Sequence, residues 1–231
     1  MKIALFSDIH ANLPAFKAFL ADFDSRKPDA VYCLGDMIGY NIWPNEIIAE
    51  IRRRGIATLA GNHDKKTKGY AYELVTDNNR AYLDTLPAYI KLEFQLNNDH
   101  LNIALAHGST RSIDEYVLAD TDEAYVLEMM EEAKADILCV GHSHKPYHRI
   151  ITATDSNMKH VINIGSVGKP KDGNPMGCYV LLHVNENSSV SDKDSIQVEF
   201  IRVAYDVEMA AKAIQESILP DELADKLRAA Y

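Results

Sequence analysis

Five apolar runs in this 231-residue sequence end in side chains that bind metal ions. They are "ALFSDIH" with Asp8 and His10, "YCLGD" with Asp36, "TLAGNHD" with Asn62, His63 and Asp64, "ALAHG" with His107, and "CVGHSH" with His142 and His144. A single histidine at the end of a strand is ordinarily a surface or capping residue, so no cluster is convincing alone. Their recurrence at five run ends is what argues for a site. The set holds three carboxylates, one amide and five imidazoles, more donors than one ion can take. Two divalent ions sharing a carboxylate accommodate it. Oxygen and nitrogen donors without thiolate favour Mn, Fe or Zn, or another first-row ion, over calcium or a cysteine-type structural zinc site. Two such ions can clamp both oxygens of an in-line phosphoryl displacement and draw the pKa of water toward about 7.

Side chains so far apart in sequence meet only if the runs are neighbouring strands whose ends share one edge, where α/β sheets bind ligands. The patterning predicts this. "KIALFS", "AVYCLG" and "IATLAG" read as strands. Between them lie two helical segments. Asn12 caps the first, with Phe16, Phe19, Leu20 and Phe23 at helical spacing; Pro44 opens the second, with Ile47, Ile48 and Ile51 on one face and Gly55 as its stop. A βαβαβ order implies a parallel sheet. Lys65 to Leu86 predicts a helical excursion near residues 65–88. "YIKLEFQL" and "LNIALAHG" follow as a hairpin, with Asn97-Asn98-Asp99 as its turn. A helix across Asp122–Ala133 leads into "DILCVG". The later strands are "HRIITA", "HVINIG", "GCYVLLHV" and "SIQVEFIRV", and helices are expected near residues 206–230. The order suggests one α/β domain over residues 1–231, with two stacked sheets and helices outside.

Composition narrows the function. With 34 acidic against 24 basic residues the formal charge is -10, which argues against duplex nucleic acid as a partner. A small anionic substrate remains compatible, because bound cations supply local positive charge. Three scattered cysteines without a CxxC pair suit a reducing cytoplasm. The apolar run after Met1 is too short for a signal peptide, and no run reaches the roughly 18 apolar residues of a membrane span.

The motifs DxH, GD, GNHD, HG and GHSH, in that order, resemble those of the calcineurin-like metallophosphoesterase superfamily. "FSDIHANLPAF", "GDMIGYNIWPNEII", "NNRAYLDTLP", "HGSTRSIDEYV" and "NIGSVGKPKDG" extend the resemblance, over roughly residues 1–184, to a branch of small single-domain bacterial and archaeal phosphoesterases. The resemblance implies a four-layered α/β/β/α sandwich with two mixed sheets. It implies Asp8, His10, Asp36 and His144 on one ion and Asp36, Asn62, His107 and His142 on the other, with Asp36 bridging. His63 would stabilise or protonate the leaving-group oxygen and Asp64 would orient it. The implied activity is hydrolysis of phosphate esters or anhydrides by a dimetal-bridging hydroxide. Mn or Fe are the expected ions, with Zn, Ni and Co as further candidates. Monoesters, diesters and dinucleoside polyphosphates, a nucleotide among them, are the candidate substrates. A non-catalytic binding scaffold is the alternative of a different class, although no ligand is missing. The tyrosine ligand of purple acid phosphatases would fall at Gly39, so that subclass is not expected; a metallo-β-lactamase would need an HxHxDH cluster that the chain lacks.

Other residues admit two readings. Arg111 could pair with a substrate phosphate or form a surface salt bridge. Gly165-Ser166-Val167-Gly168 could offer N–H groups to a phosphate or be a structural turn. Tyr70 and Tyr72 could stack on a base, although an amphipathic helix is the plainer reading. Gly61 and Gly141 are expected to permit tight turns. His100, His148, His160 and His183 lie outside the motifs and are read as ordinary residues.

Overall fold

Side chains of a strand alternate between its two faces, and the first strand, β1 (Lys2–Phe6), shows how the layers arise. Ile3 and Leu5 point to one side, Ala4 and Phe6 to the other, and all four are buried. A sheet apolar on both faces must be covered on both. In this computed structural model, which describes residues 1–97 and 99–231, the inner cover is a second sheet and the outer cover is helical.

After β1 come α1 (Leu13–Arg26), β2 (Ala30–Cys33), α2 (Pro44–Arg54) and β3 (Ala57–Thr58). Next are α3 (Tyr70–Glu73), α4 (Asp77–Asp84), β4 (Tyr89–Gln95), β5 (His100–Ala106) and α5 (Glu123–Glu132). The chain continues with β6 (Ile137–Val140), β7 (Tyr147–Thr152), β8 (Met158–Asn163), β9 (Gly177–His183) and β10 (Gln197–Val203). It ends in α6 (Val207–Gln215) and α7 (Glu222–Ala229).

Each sheet has five strands among the described residues, in the orders β10-β9-β1-β2-β3 and β4-β5-β6-β8-β7. In the first, β1, β2 and β3 run parallel, while β9 and β10 are antiparallel additions. In the second, β5, β6 and β8 run parallel between the antiparallel edges β4 and β7. Ile3, Leu5, Leu34, Val180 and Leu182 pack against Ile103, Leu105, Ile137, Cys139 and Ile162 to form the core between the sheets. Phe16, Phe19, Ile47, Ile48 and Ile51 bury the outer face of the first sheet. Val126, Met129 and Met130 of α5 bury that of the second. The four-layered α/β/β/α sandwich expected from the sequence is therefore observed. No helix of the described residues is long and apolar enough to cross a membrane.

Two boundaries differ from the sequence pattern. "IATLAG" pairs as a strand only at Ala57–Thr58, because the Ala60 N–H turns away to the Pro87 carbonyl, 2.9 Å distant. The excursion after Asp64 is helical only at α3 and α4. The hairpin β4–β5 closes with Gln95 opposite His100, and the Leu96 N–H meets the Asp99 carbonyl at 2.9 Å. Asn98, in the expected turn, lies outside the described residues.

Asn12 links the fold to the site. Its Oδ1 caps α1 by accepting from the Ala15 N–H at 3.1 Å, and its Nδ2 donates to the Gly168 carbonyl at 2.7 Å and the Tyr205 hydroxyl at 3.3 Å. The side chain is fully buried, so Asn12→Ala strands a helix N–H and a carbonyl. A loss of about 2 kcal/mol in denaturant unfolding is expected; a variant as stable as the parent would show that other groups satisfy these partners.

Candidate metal centre

The five motif clusters occupy the loops leaving β1, β2, β3, β5 and β6, all at one edge of the sandwich. Main-chain hydrogen bonds lock these loops together. The Asp8 N–H donates to the Gly35 carbonyl at 3.0 Å, His10 N–H to Asp36 at 2.9 Å, and Gly141 N–H to His107 at 2.8 Å. The loop after β8 joins them. Val167 N–H donates to the Ser7 carbonyl, while Gly168 N–H and the Ser166 hydroxyl both donate to that of Asp8. The Gly165–Gly168 segment is thus a structural turn whose N–H groups hold the Asp8 loop rather than facing outward toward a phosphate.

The protons of the site can be placed from its carbonyls, which only accept. His10 Nδ1 lies 3.0 Å from the Ile38 carbonyl, His107 Nδ1 2.8 Å from that of Leu34, and His144 Nδ1 2.5 Å from that of Lys169. Each Nδ1 therefore carries a proton, and each Nε2 points inward as the ring atom left to meet a cation. His142 is reversed: its Nε2 meets the Asp114 carbonyl at 3.2 Å, which leaves Nδ1 as the free lone pair.

These nitrogens face other candidate ligand atoms. His10 Nε2 and His144 Nε2 are 3.1 Å apart, and Asp8 Oδ1 is 3.1 Å from the latter and 3.6 Å from the former. Asp36 Oδ2 lies 3.5 Å from His10 Nε2 and 3.4 Å from His107 Nε2, between the two groups. Asn62 Oδ1 approaches His107 Nε2 at 3.3 Å. Asp8 Oδ1 is buried with no hydrogen-bond donor. Donor atoms of Asp8, His10 and His144 lie within 4.8 Å of one another, as do those of Asp36, His107 and His142. Buried nitrogens and carboxylate oxygens converging this closely need positive charge among them, which cations, or in their absence a proton, supply. His142 and His144, two positions apart, fall in different groups, and Ser143 between them turns its hydroxyl to Asn163 Nδ2 at 2.9 Å.

The titration behaviour has the same cause. Burial opposes the charge of Asp8, yet His144 and His10 hold its carboxyl well below the usual range. Burial likewise opposes the charge of Asp36, which His107 and His10 nonetheless keep low. Burial also disfavours a charged His107, but Asp36 outweighs it and raises the imidazole to about 10. A cage without a cation therefore takes up a proton.

His63 sits at the rim, half-buried, with its ring 4.9 Å from that of His10 and 4.8 Å from that of Tyr40. Its nitrogens come within reach of His10 and Asp36 donors, and Lys66 Nζ lies 3.2 Å from each of them. Burial and the neighbouring His10 push its pKa down to about 3, so the ring is neutral near pH 7.

Asp64 departs from expectation. Its carboxylate makes no hydrogen bond to the His63 ring among the described residues; it accepts four main-chain N–H groups, from Asp36 at 2.7 Å, Met37 and Gly61 at 3.0 Å and Ile38 at 3.3 Å. It clamps the loop that carries Asp36. Burial and the Asp36 charge push its pKa up, to about 7, against these donors. The expectation that it orients His63 is corrected: His63 is held by its own N–H, which donates to Asp36 Oδ1 at 2.7 Å. Arg111 is likewise placed by the second of its two readings, since its guanidinium forks onto Glu132 at 2.7 and 2.8 Å and lies over the Tyr125 ring. Gly61 and Gly141 have ordinary φ angles and serve close approach instead of turns: a Cβ on Gly61 would meet Asp36 Oδ1 at 2.1 Å, and one on Gly141 would meet Asp8 Oδ2 at 2.7 Å.

Sequence reasoning missed several contributors. The carbonyls of Leu34, Ile38, Asp114 and Lys169 orient the imidazoles, and any residue type offers a carbonyl. Tyr116 stacks on His142 at 4.1 Å between centroids, a contact without a signal beyond its place in "HGSTRSIDEYV". Lys169 Nζ lies 4.9 Å over the Tyr40 ring, and burial pushes its pKa down to about 8. Burial lowers Lys171 as well, although the carboxylates of Asp8 and Asp36 pull it back up.

Comparison with known proteins was made against this geometry. Residues 1–187 match the calcineurin-like phosphoesterase superfamily domain. The chain is 30% identical to the uncharacterized protein MJ0912 of Methanocaldococcus jannaschii, over 97% of this chain and 96% of that one. Its fold is shared with a metallophosphoesterase from Sphaerobacter thermophilus at TM-score 0.76 and 24% identity, covering 100% of this chain and 99% of that one. It is also shared with the hypothetical protein PH1004 from Pyrococcus horikoshii, at TM-score 0.77 and 21% identity over 98% and 97% of the two chains.

Two outcomes follow from the cage. Asp64→Ala strands four buried N–H groups, so stability should fall on the order of 3 kcal/mol or more. Metal content by elemental analysis should drop with it; full metal content would return Asp64 to a role at His63. Metal must also displace the proton that Asp36 holds on His107. That proton is bound below about pH 10, so apparent Mn affinity should climb roughly tenfold per pH unit from 6 to 8. A flat affinity over that range would refute the proton inventory.

Proposed function

We propose, on the premise that this chain belongs to the calcineurin-like phosphoesterase superfamily, that it is a phosphoesterase whose two cations sit in the cage just described. Membership carries metal-dependent phosphoester hydrolysis and a dinuclear metal site as properties of the family. The observation that supports this reading most strongly is the convergence of ligand atoms. His10, His107 and His144 each commit Nδ1–H to a carbonyl and turn Nε2 toward the oxygen or nitrogen of another candidate ligand. So costly an arrangement needs cations to offset it.

Asp8, His10 and His144 would hold one ion; Asn62, His107 and His142 would hold the other; Asp36 Oδ2 would be shared. When bound, such a pair activates a water and neutralises a phosphoryl group between the ions. The donor set, with oxygen and nitrogen but no thiolate, suits Mn or Fe and accepts Zn, Ni or Co.

The chain's own residues do the rest. Asp36 Oδ1 receives the His63 N–H at 2.7 Å, so the shared ligand also fixes the backbone of the residue beside the leaving group. His63, neutral near pH 7, donates a hydrogen bond to the departing oxygen instead of delivering a stored proton. Lys169 and Lys171, on the loop after β8, offer fixed positive charge near the cage to a substrate phosphate, the role first considered for Arg111. The substrate is a small phosphate ester or anhydride.

His63→Ala should lower kcat about a hundredfold or more while the Mn content stays near that of the parent. The protein should first be stripped with chelator and reconstituted. Rates are read on an aryl monoester, an aryl diester and a dinucleoside polyphosphate. Loss of both ions in this variant would make His63 a ligand, and inactivity of the fully loaded parent on all three substrates would overturn the enzymatic reading.

A further inference from the structure

We infer that a cavity of about 280 Å³ beside His63 is the leaving-group pocket, and that it selects a flat aromatic leaving group; this rests on the phosphoesterase reading above. His63 forms part of its wall, with Tyr40, Tyr70, Leu219 and Leu223 beside it and Lys66 near the ring nitrogens. Its interior is mainly apolar.

Position decides what the cavity is for. Attacking and leaving oxygens depart in line, on opposite sides of the phosphorus. The cage lies on one side of His63, where His10 approaches within 4.9 Å of its ring, and the cavity opens from the same imidazole. A departing oxygen in contact with His63 therefore carries its substituent into the cavity.

The lining decides the chemistry of that substituent. A sugar would leave its hydroxyls against Leu219, Leu223 and Ile38 without partners, whereas Lys66 and Lys68 on the opposite part of the lining tolerate a negative charge. A ring system loses nothing there and gains the tyrosine faces. Tyr72 is not available as such a face, because Arg80 stacks on it at 4.4 Å. Tyr70 has no aromatic or cationic partner among the described residues. The volume is near the lower end of small-molecule sites, roughly 300 Å³, which suits one ring system and not an oligonucleotide. Leu219 and Leu223 lie beyond residue 187, where the match to the family domain ends, so this wall comes from the helical tail that follows the domain.

Nucleosides and simple phenols share this chemistry, and the test separates them. Mn-loaded protein is assayed on two methyl phosphodiesters of matched leaving-group acidity, one aryl and one fluoroalkyl. The aryl diester should be preferred at least tenfold in kcat/KM. Leu223→Asp and, independently, Tyr70→Ala should remove most of that preference, lowering the aryl value far more than the fluoroalkyl one. Both positions are half-buried, so the variants are expected to fold. In parallel, ring-proton broadening by bound Mn is measured by NMR for phenol and for adenosine, without turnover. Broadening that disappears in Leu223→Asp supports the pocket, and the ligand that shows it identifies the source as aryl or nucleoside. If no diester is hydrolysed but this broadening pattern holds, the phosphoesterase reading falls and the aromatic pocket stands. No broadening for either ligand, or an aryl preference untouched by both substitutions, overturns the pocket.

Discussion

Carboxylates and imidazoles converge at one edge of this sandwich, closer than uncompensated charge allows. Two fully buried carboxylates, Asp8 and Asp36, meet imidazoles whose Nδ1 protons are already committed to carbonyls. In a medium where an unpaired buried acceptor costs about 1–3 kcal/mol, several such groups at one point destabilise the chain that holds them. The backbone adds to this. Asp8, His10, Asp36, His142 and His144 all take left-handed φ angles, between 50° and 63°, where non-glycine residues are uncommon. Five strained positions among seven candidate ligands mean that the loops are bent to suit the donors. Cations bound by these groups would offset both costs, which would link metal affinity to folding stability in this molecule.

The need to hold such a cluster rationalises the architecture. The loops of a single parallel sheet lie in a row along one edge. Two facing sheets supply opposite walls, and the walls are tied to each other. The Leu34 carbonyl, at the end of β2, accepts from Ser7 Oγ of its own sheet and from His107 Nδ1 of the other. His142 N–H, beyond β6, donates to Asp8 Oδ2, beyond β1. Both of these inter-sheet bonds end on a candidate ligand. The apolar core between the sheets, with Leu34, Leu105 and Cys139 directly under the loops, fixes their separation. Packing density in that layer governs distances in the cage, because core side chains transmit small displacements instead of absorbing them.

Side-chain chemistry was legible in the sequence, and main-chain chemistry was not. The ligating residue types stood at strand ends, and apolar alternation placed the strands, so the cage could be outlined from Asp8 to His144. Which nitrogen each histidine presents depended on carbonyls of Ile38, Leu34, Lys169 and Asp114, whose side chains have nothing to do with the contact. Asp64 illustrates the limit. It directly follows His63, and that adjacency suggested a partnership. The turn instead sends its carboxylate back under residues 36–38, toward four N–H donors that no sequence pattern marks. Arg111 was ambiguous because Glu132 is 21 positions away, on a helix whose placement only packing decides.

Cage and pocket are also built from different materials, and that difference separates reactivity from selectivity. The cage rests on short loops between parallel strands, braced by main-chain bonds, and a Cβ added at Gly61 or Gly141 would collide with a carboxylate oxygen. Little there can change without loss of the ions. The pocket beside His63 is walled by α3, by the lysine-bearing turn before it and by the segment leading into α7. These are side-chain contacts on peripheral elements, and α7 packs chiefly on α6 through Ala210, Ile214, Ala224 and Leu227. Residues on such elements can be exchanged at a cost set by local packing alone, leaving the cage intact. Selectivity in this molecule thus resides largely in elements outside the cage, with His63, Ile38 and Tyr40 at the boundary between the two.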